Sequence, residues 1–232
     1  MERLDHLAPY QEERIDRIKS ILPVLGSDFI LKGGTALGVY YGLDRYSEDI
    51  DLDATRTGAN IMETLSAAGV SGIRSKKHTD TVQRVMLDYG ASRPDGGEYP
   101  LKIEVSFRNV RGLEDDRFKI NQFDGVWVYD ISELVKMKVQ AFSGRDKIRD
   151  LYDIGFLLRE YSEHFSKDNL QNIQTAMSYK GLEDLSMQLA LEARAHSLAQ
   201  FDADLYVLNI DDRVEGLLKK RNREKETDAY ER

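Results

Sequence analysis

The chain contains one stretch that decides its fold: Leu31-Lys32-Gly33-Gly34-Thr35-Ala36-Leu37, followed shortly by Arg45-Tyr46-Ser47-Glu48-Asp49-Ile50-Asp51-Leu52. The apolar residues before Gly33 predict a short strand, and those after Gly34 predict a brief helix. In the second half of the stretch, acids alternate with apolar residues. Because side chains alternate between the two faces of a strand, this alternation predicts a second strand with one acidic face.

The acidic strand carries the first candidate for chemistry. Asp49 and Asp51 share one strand face with Cα atoms about 6–7 Å apart, so that their carboxylates can share a hard cation through oxygen ligands. A solvated acidic edge is the alternative interpretation. Asp53 lies on the same face, and we expect it to be a solvated neighbour of the pair.

The glycine pair lies where a strand meets a helix. Glycines permit a close backbone approach, and amides at a helix N-terminus attract phosphate. Glycine pairs after strands are common, so this signal is weak alone. Together with Ser47, Asp49 and Asp51 it predicts a phosphate cradle beside a two-carboxylate metal site, where Ser47 either binds a phosphate oxygen or caps a turn.

The rest of the chain separates into a strand-rich part and a helical part. Further strands are predicted at Val82 to Tyr89, Leu101 to Phe107 and Val126 to Tyr129, and helical periodicity follows from Ser132 onward. We therefore predict an α/β (α+β) fold, a mixed sheet with flanking helices followed by a helical C-terminal lobe. The boundary is placed near Asp130, giving lobes 1–130 and 131–232.

Composition narrows the functional classes. Among 232 residues there is no cysteine, which excludes disulfides, thiolate zinc sites and cysteine nucleophiles. No apolar signal segment opens the sequence and no apolar run approaches the roughly 20 residues of a membrane span, so a cytoplasmic protein is expected. The formal net charge of -8 disfavours general attraction to nucleic acid, so a nucleic-acid substrate requires a local basic patch.

The two motifs of the opening stretch resemble those of the AbiEii/AbiGii-type nucleotidyltransferase toxins, a family with a DNA polymerase β-like nucleotidyltransferase fold. The resemblance continues in Lys102-Ile103-Glu104-Val105-Ser106-Phe107, in Lys136-Met137-Lys138 and in Arg149-Asp150-Leu151-Tyr152-Asp153. It implies that Glu104 is the third metal carboxylate, at a position where the family commonly has aspartate. It also implies that Lys138 and Asp150 are the functional pair of the helical half.

The resemblance implies a complete set of site residues. The catalytic residues would be Asp49, Asp51, Glu104, Lys138 and Asp150, and the first three would also be the metal ligands. The nucleotide-binding residues would be Gly33, Gly34, Thr35, Arg45, Ser47 and Lys138. In this set Lys138 is a point charge on the triphosphate, and Asp150 either orients that lysine or helps to position the acceptor.

The implied activity is a nucleotidyltransferase reaction that uses Mg2+, or alternatively Mn2+. A nucleoside monophosphate would pass from an NTP to a hydroxyl with release of pyrophosphate, and the resemblance suggests a tRNA 3′ end as the acceptor. The protein would then be the toxin of an abortive-infection toxin–antitoxin system, with a cognate antitoxin as partner. The alternatives are nucleotidylation of a protein or small molecule, and a nucleotide-binding regulatory protein without turnover.

Overall fold

The computed structural model describes the backbone of residues 7–196 and 202–230 and the side chains of residues 7–193 and 202–223. The expectation drawn from the first five residues lies outside this range. Backbone contacts divide the chain into two compact units, Met1–Glu133 and Leu134–Arg232.

The first unit contains a mixed sheet, as predicted. Its elements in chain order are α1 (Pro9–Ile21), β1 (Phe29–Lys32), α2 (Gly33–Tyr40), β2 (Asp49–Ala54), α3 (Ile61–Ala67), β3 (Ile73–Thr79), β4 (Val82–Leu87), β5 (Leu101–Ser106), α4 (Val110–Glu114), β6 (Ile120–Phe123) and β7 (Val126–Tyr129). Within the described residues the sheet has the strand order β3-β4-β5-β2-β1-β7-β6. The pairs β2–β5 and β1–β7 are parallel, and the other neighbours are antiparallel.

The central strands alternate between a core face and a polar face. Ile50, Leu52, Val85, Ile103 and Val105 are fully buried on one face and form the core of the first unit. The charged residues that alternate with them keep some exposure, namely Asp49, Asp51, Arg84, Lys102 and Glu104. This alternation places the acids of β2 and β5 together on the polar face.

The second unit is helical, as its periodicity predicts. Helix α5 (Ile131–Gly144) begins just before the boundary, and α6 (Ile148–Glu160), α7 (Lys167–Lys180), α8 (Leu182–His196) and α9 (Ala203–Tyr230) follow. Its core includes Leu157, Ile173, Leu189 and Val214, all inaccessible to solvent. No helix in the described ranges is long and apolar enough to cross a membrane.

Candidate active site

A row of charged residues crosses the polar face of the sheet. Asp51 on β2 lies directly opposite Glu104 on the parallel strand β5, and opposite Lys32 on β1. Glu104 in turn lies opposite Arg84 on β4. Because directly paired residues share a sheet face, this register brings together two of the three predicted metal carboxylates.

A second row, one pleat away, contains the remaining predicted carboxylate. Asp49 lies opposite Lys102 of β5, and the lysine Nζ is 2.5 Å from Asp49 Oδ2. In the first row Arg84 Nε donates a hydrogen bond of 2.7 Å to Glu104 Oε2. Each outer carboxylate therefore has a cationic partner on a neighbouring strand.

Asp51 combines burial with two acidic neighbours. Burial raises the pKa of its carboxyl group above the ordinary value, and repulsion from Asp49 and, to a lesser extent, Glu104 raises it further. Lys102 and Lys32 oppose this shift. For Lys102, burial lowers the pKa, but its bond to Asp49 and the charges of the other two acids outweigh burial, so the net shift is upward. A bound cation would stabilise the ionised form of the Asp51 carboxylate, which burial and the neighbouring acids disfavour.

The glycine turn lies against this carboxylate. Gly33 has φ +75°, a conformation that favours glycine, and a Cβ placed there would be 3.1 Å from Asp51 Oδ2. A Cβ at Gly34 would be 2.7 Å from Arg45 Nη2 and 3.1 Å from Ser47 Oγ. The start of α2 thus packs its backbone against Asp51 on one side and the loop before β2 on the other.

The loop before β2 is held by two hydroxyl groups and one guanidinium. The Thr35 and Ser47 hydroxyl oxygens are 2.8 Å apart, and Thr35 also donates to the backbone carbonyl of Asp49. Arg45 is only 6% exposed and donates to the carbonyl of Tyr46. The structure therefore brings together all five residues predicted to bind nucleotide in the first unit, with Arg45 and Thr35 buried beneath the turn.

The divalent-metal expectation can be tested against the donor set. Among the side chains that the structure describes, residues 7–193 and 202–223, no three from His, Cys, Asp or Glu form a group that could hold a metal ion. The reason is visible in the two rows, since Asp49 faces Lys102 and Glu104 faces Arg84. The ligand chemistry still fits a divalent cation, because three carboxylates lie at adjacent register positions and the Lys102 ammonium already places positive charge on one of them. Asp49, Asp51 and Glu104 would hold such an ion after exchanging their lysine and arginine partners.

The prediction that Asp53 is a solvated neighbour is wrong. Asp53 is fully buried and accepts hydrogen bonds from Asn109 Nδ2 at 2.7 Å and from the Tyr129 hydroxyl at 2.8 Å. It also pairs with Lys32. Burial, together with the adjacent Asp53 charge, raises the pKa of the Tyr129 phenol, which keeps this group a donor. Asp53 therefore anchors β1 and β7 to β2.

Lys138 and Asp150 lie together in the second unit. Lys138 on α5 is 7% exposed, and its Nζ is 3.2 Å from Asp150 Oδ1. It also pairs with Asp153, which is fully buried. Arg145 holds Asp150 from the other side through Nε at 2.7 Å and Nη2 at 2.9 Å. The Arg149–Asp153 motif thus places two acids on the face of α6 that meets Lys138.

Sequence reasoning did not single out Lys32, Arg84, Lys102 or Asp153. The signal for Lys102 and Lys32 was present, because each lies next to or within two residues of a predicted site residue, Glu104 for Lys102 and Gly33 for Lys32. Arg84 could not be found in this way, since its importance depends on the pairing of β4 with β5. Asp153 is three residues after Asp150, which places it on the same side of the helix.

Most of the chain matches one known family. The family described as nucleotidyl transferase AbiEii toxin, type IV toxin–antitoxin system, matches residues 20–227. The chain belongs to this family. As an AbiEii-family protein it is a nucleotidyltransferase, and the family implies a nucleoside triphosphate substrate and, in general, a divalent metal and an antitoxin partner.

The chain is also similar to individual proteins. The crystal structure of JHP933 from Helicobacter pylori has a TM-score of 0.79 at 27% identity and covers 98% of this chain and 100% of that one. An uncharacterised Aquifex aeolicus (strain VF5) protein, aq_aa25, is 25% identical over 183 residues, which is 74% of this chain and 80% of that protein. MenT4, a nucleotidyltransferase toxin of Mycobacterium tuberculosis H37Rv, shares the fold, with a TM-score of 0.50 at 14% identity over 90% of this chain and 82% of that one.

Proposed function

We propose that this protein is a Mg2+-dependent nucleotidyltransferase that transfers a nucleoside monophosphate from an NTP to the 3′ hydroxyl of a tRNA. The observation that carries this proposal is the register of β2 and β5, which sets Glu104 beside Asp51 and within one pleat of Asp49. The glycine turn at Gly33 approaches the same carboxylate. Acceptor, nucleotide and metal would meet at this edge of the polar face.

In the proposed reaction the acceptor oxygen bonds to the α-phosphorus of the NTP. The bond between the α-phosphorus and the oxygen that bridges it to the β-phosphate breaks, pyrophosphate leaves, and the hydroxyl proton passes to solvent. A divalent cation, when bound, would activate the hydroxyl and stabilise the leaving group. No protein nucleophile is needed for this displacement.

The protein's own residues would position the phosphates. The amides at the start of α2 point toward an anion placed before Gly33 and Gly34, because a helix N-terminus presents free N–H groups. Ser47 is held by Thr35 beside this turn, and Arg45 supports it from beneath. In the second unit, the 3.2 Å contact between Lys138 and Asp150 supports an orienting role of that acid toward the lysine.

The direct test is label transfer from each α-32P-labelled NTP to total tRNA in the presence of Mg2+. We expect label on tRNA with the wild-type protein and at least about a hundredfold less with Asp49→Asn combined with Asp51→Asn, because the metal carboxylates are lost. The matched control is Glu12→Gln with Asp16→Asn, which changes net charge equally at two exposed positions on α1.

A second version of the assay, with chemically oxidised tRNA, identifies the acceptor atom. Periodate oxidation of the tRNA destroys its 3′-terminal diol, so it should abolish labelling by the wild-type protein. Label on oxidised tRNA would contradict transfer to the 3′ end. Label on protein or on small molecules, with none on tRNA, would assign the reaction to one of the alternative acceptors.

We further propose that the protein is the toxin of an AbiE-like toxin–antitoxin system. Expression of the wild-type protein should arrest growth, and Asp51→Asn should relieve the arrest at equal protein level. Arrest that persists with this variant would separate toxicity from nucleotidyl transfer.

A further inference from the structure

A basic patch lies on the outer hairpin of the sheet. The β3–β4 hairpin, residues 73–87, contains Arg74, Lys76, Lys77 and Arg84 against one acid, Asp80, in a chain with a formal net charge of -8. Strand β3 is an edge strand, and its residues from Arg74 to Thr79 are exposed. This hairpin is therefore locally basic, although the whole chain is acidic.

Three of the four cations of this hairpin, Arg74, Lys77 and Arg84, lie in register with the rows that contain the carboxylates. Lys77 lies opposite Arg84, and Arg84 lies opposite Glu104, in the row that continues to Asp51. Arg74 lies opposite Met86, which is opposite Lys102, in the row that continues to Asp49. Both rows thus run from the sheet edge to the acids without changing face.

The distances in these rows suit a polyanion. Lys77 stands two strand spacings, about 10 Å, from the backbone of Glu104. Arg84 fills the interval, because its guanidinium contacts Glu104 while its side chain remains 37% exposed. Arg74 is 59% exposed and its contact with Glu98 at 3.3 Å is open to solvent, so both cations remain available to an anion.

Charges on an edge strand also have a protective role, since lysine on an edge discourages pairing with another sheet. Charged residues on either face of β3, and at any register position, would prevent such pairing. Protection of the edge therefore does not explain why these cations lie in register with the acids of β2 and β5. The arrangement on the catalytic face therefore calls for a ligand that extends from the acids to the sheet edge.

We infer that Arg74, Lys77 and Arg84 form a phosphate track that holds the backbone of a single-stranded RNA acceptor, with its 3′ hydroxyl directed to Asp49, Asp51 and Glu104. This inference rests on the proposed function and adds the path of the acceptor. The contacts are to phosphates, so they position the strand and give little base preference.

The track is tested with Arg74→Gln combined with Lys77→Gln. Arg84 is left intact because it touches Glu104. The matched control is Lys19→Gln with Arg117→Gln, which removes two exposed cations from the same unit away from the hairpin. Equal melting temperatures for the wild-type protein and both variants establish that folding is unchanged.

Two readouts separate the track from the reaction. The first is fluorescence anisotropy with a 5′-fluorescein single-stranded RNA oligonucleotide over a range of salt concentrations. Here the track variant should bind at least about fivefold more weakly. In a plot of the logarithm of the binding constant against the logarithm of the salt concentration, the slope should decrease in magnitude by about 1.4, roughly 0.7 for each lost phosphate contact. The second is label transfer, where KM for tRNA should rise and KM for the NTP should stay unchanged.

The outcomes distinguish failure of the phosphate track from failure of the proposed tRNA acceptor. Equal RNA affinity and equal salt slope in the track variant and the control would overturn the track, even if tRNA is labelled. Track-dependent RNA binding with label only on protein would support the track and overturn the tRNA acceptor. A wild-type protein that neither binds nor labels RNA would overturn both.

Discussion

Arg14 is a buried charge that joins the two acidic strands. It is 1% exposed, and its guanidinium donates to the Glu48 carbonyl at 2.8 Å and to the Tyr99 carbonyl at 2.5 Å. Glu48 immediately precedes β2, and Tyr99 lies just before β5, where Pro100 also accepts a bond. The Tyr99 ring covers the guanidinium at 3.5 Å. One side chain thus ties the starts of the strands that carry Asp49 and Glu104.

Replacing Arg14 by Met should destabilise the protein by about 2–4 kcal/mol, because several carbonyls lose their donor in a buried place. Arg14→Lys should recover only part of this loss, since one ammonium cannot reach both segments in the fork geometry of a guanidinium. Urea unfolding measures both. Lys19→Met, at an exposed position of the same helix, is the control and should leave the midpoint unchanged.

Asp51 should lower the stability of the metal-free protein. Its pKa is raised on folding, chiefly by burial, so the ionised carboxylate opposes folding at any pH above its unfolded value near 3.8. In EDTA at pH 7, Asp51→Asn should therefore melt above the wild-type protein, and this difference should vanish below about pH 4, where the acid is protonated in both states. A lower melting temperature for Asp51→Asn in EDTA would contradict this.

Addition of Mg2+ should reverse the order of stability. A ligand that binds only the folded state stabilises it by mass action, so the wild-type melting temperature should rise with Mg2+ concentration while that of Asp51→Asn stays nearly constant. Thermal melts with and without EDTA measure this. Asp16→Asn, an exposed acid on α1, should behave as the wild type.

At the scale of single residues, the sequence predicted on which strand face an acid lies, but not whether that acid is buried or which residues surround it. Alternation placed Asp49, Asp51 and Asp53 on one face, but it did not show that Asn109, Tyr129 and Lys32 enclose Asp53. The same limit applied to Arg14, whose partners lie 34 to 86 residues away in sequence. Burial of a charge depends on such distant partners, and no local pattern encodes it.

At the scale of elements, the turn between β1 and α2 makes a sharp prediction. Gly33→Ala combines a strained positive φ with a Cβ 3.1 Å from Asp51 Oδ2. Gly42→Ala has the same strain, with φ +80°, but meets nothing within 4 Å. Both substitutions should lower the free energy of unfolding, measured with urea, by about 1–2 kcal/mol. Only Gly33→Ala should also lower the rate of label transfer by more than about tenfold, because its Cβ displaces the Asp51 carboxylate that we propose as a metal ligand. Equal activity of the two variants would show that the close approach is unimportant.

The elements that sequence reasoning identified are those with an apolar face. β1, β2, β4, β5 and β7 were predicted because apolar residues mark their core side. β3 and β6 were missed because they are the edge strands, where a polar sequence such as Arg74 to Thr79 has little to bury. Edge strands are held by pairing with a neighbour, which periodicity does not reveal.

At the scale of the whole molecule, each of the two units has its own core. The chain has one tryptophan, Trp127, which lies on β7 in the first unit. Lys138→Met would leave Asp150 and Asp153 buried without their lysine in the second unit. Breaking a buried ion pair in this way costs about 3–5 kcal/mol.

We therefore expect Lys138→Met to shift the unfolding midpoint seen by circular dichroism at 222 nm more than the midpoint seen by Trp127 fluorescence. Lys219→Met, which removes an exposed pair with Glu215, should shift neither. An equal shift by both probes in Lys138→Met would show that the two units unfold as one.

The parallel pairing of β2 with β5 also determines when activity can arise. Asp51 and Glu104 are partners in the sheet but are separated by about fifty residues of chain, and a parallel pair cannot be closed by a tight turn. At synthesis rates of about 5–20 residues per second, β2 waits several seconds for its partner to leave the ribosome. An incomplete chain that ends before Leu101 has the glycine turn and two acids but no strand to complete the carboxylate row. We therefore expect a nascent chain to have no nucleotidyltransferase activity until most of the first unit has been made.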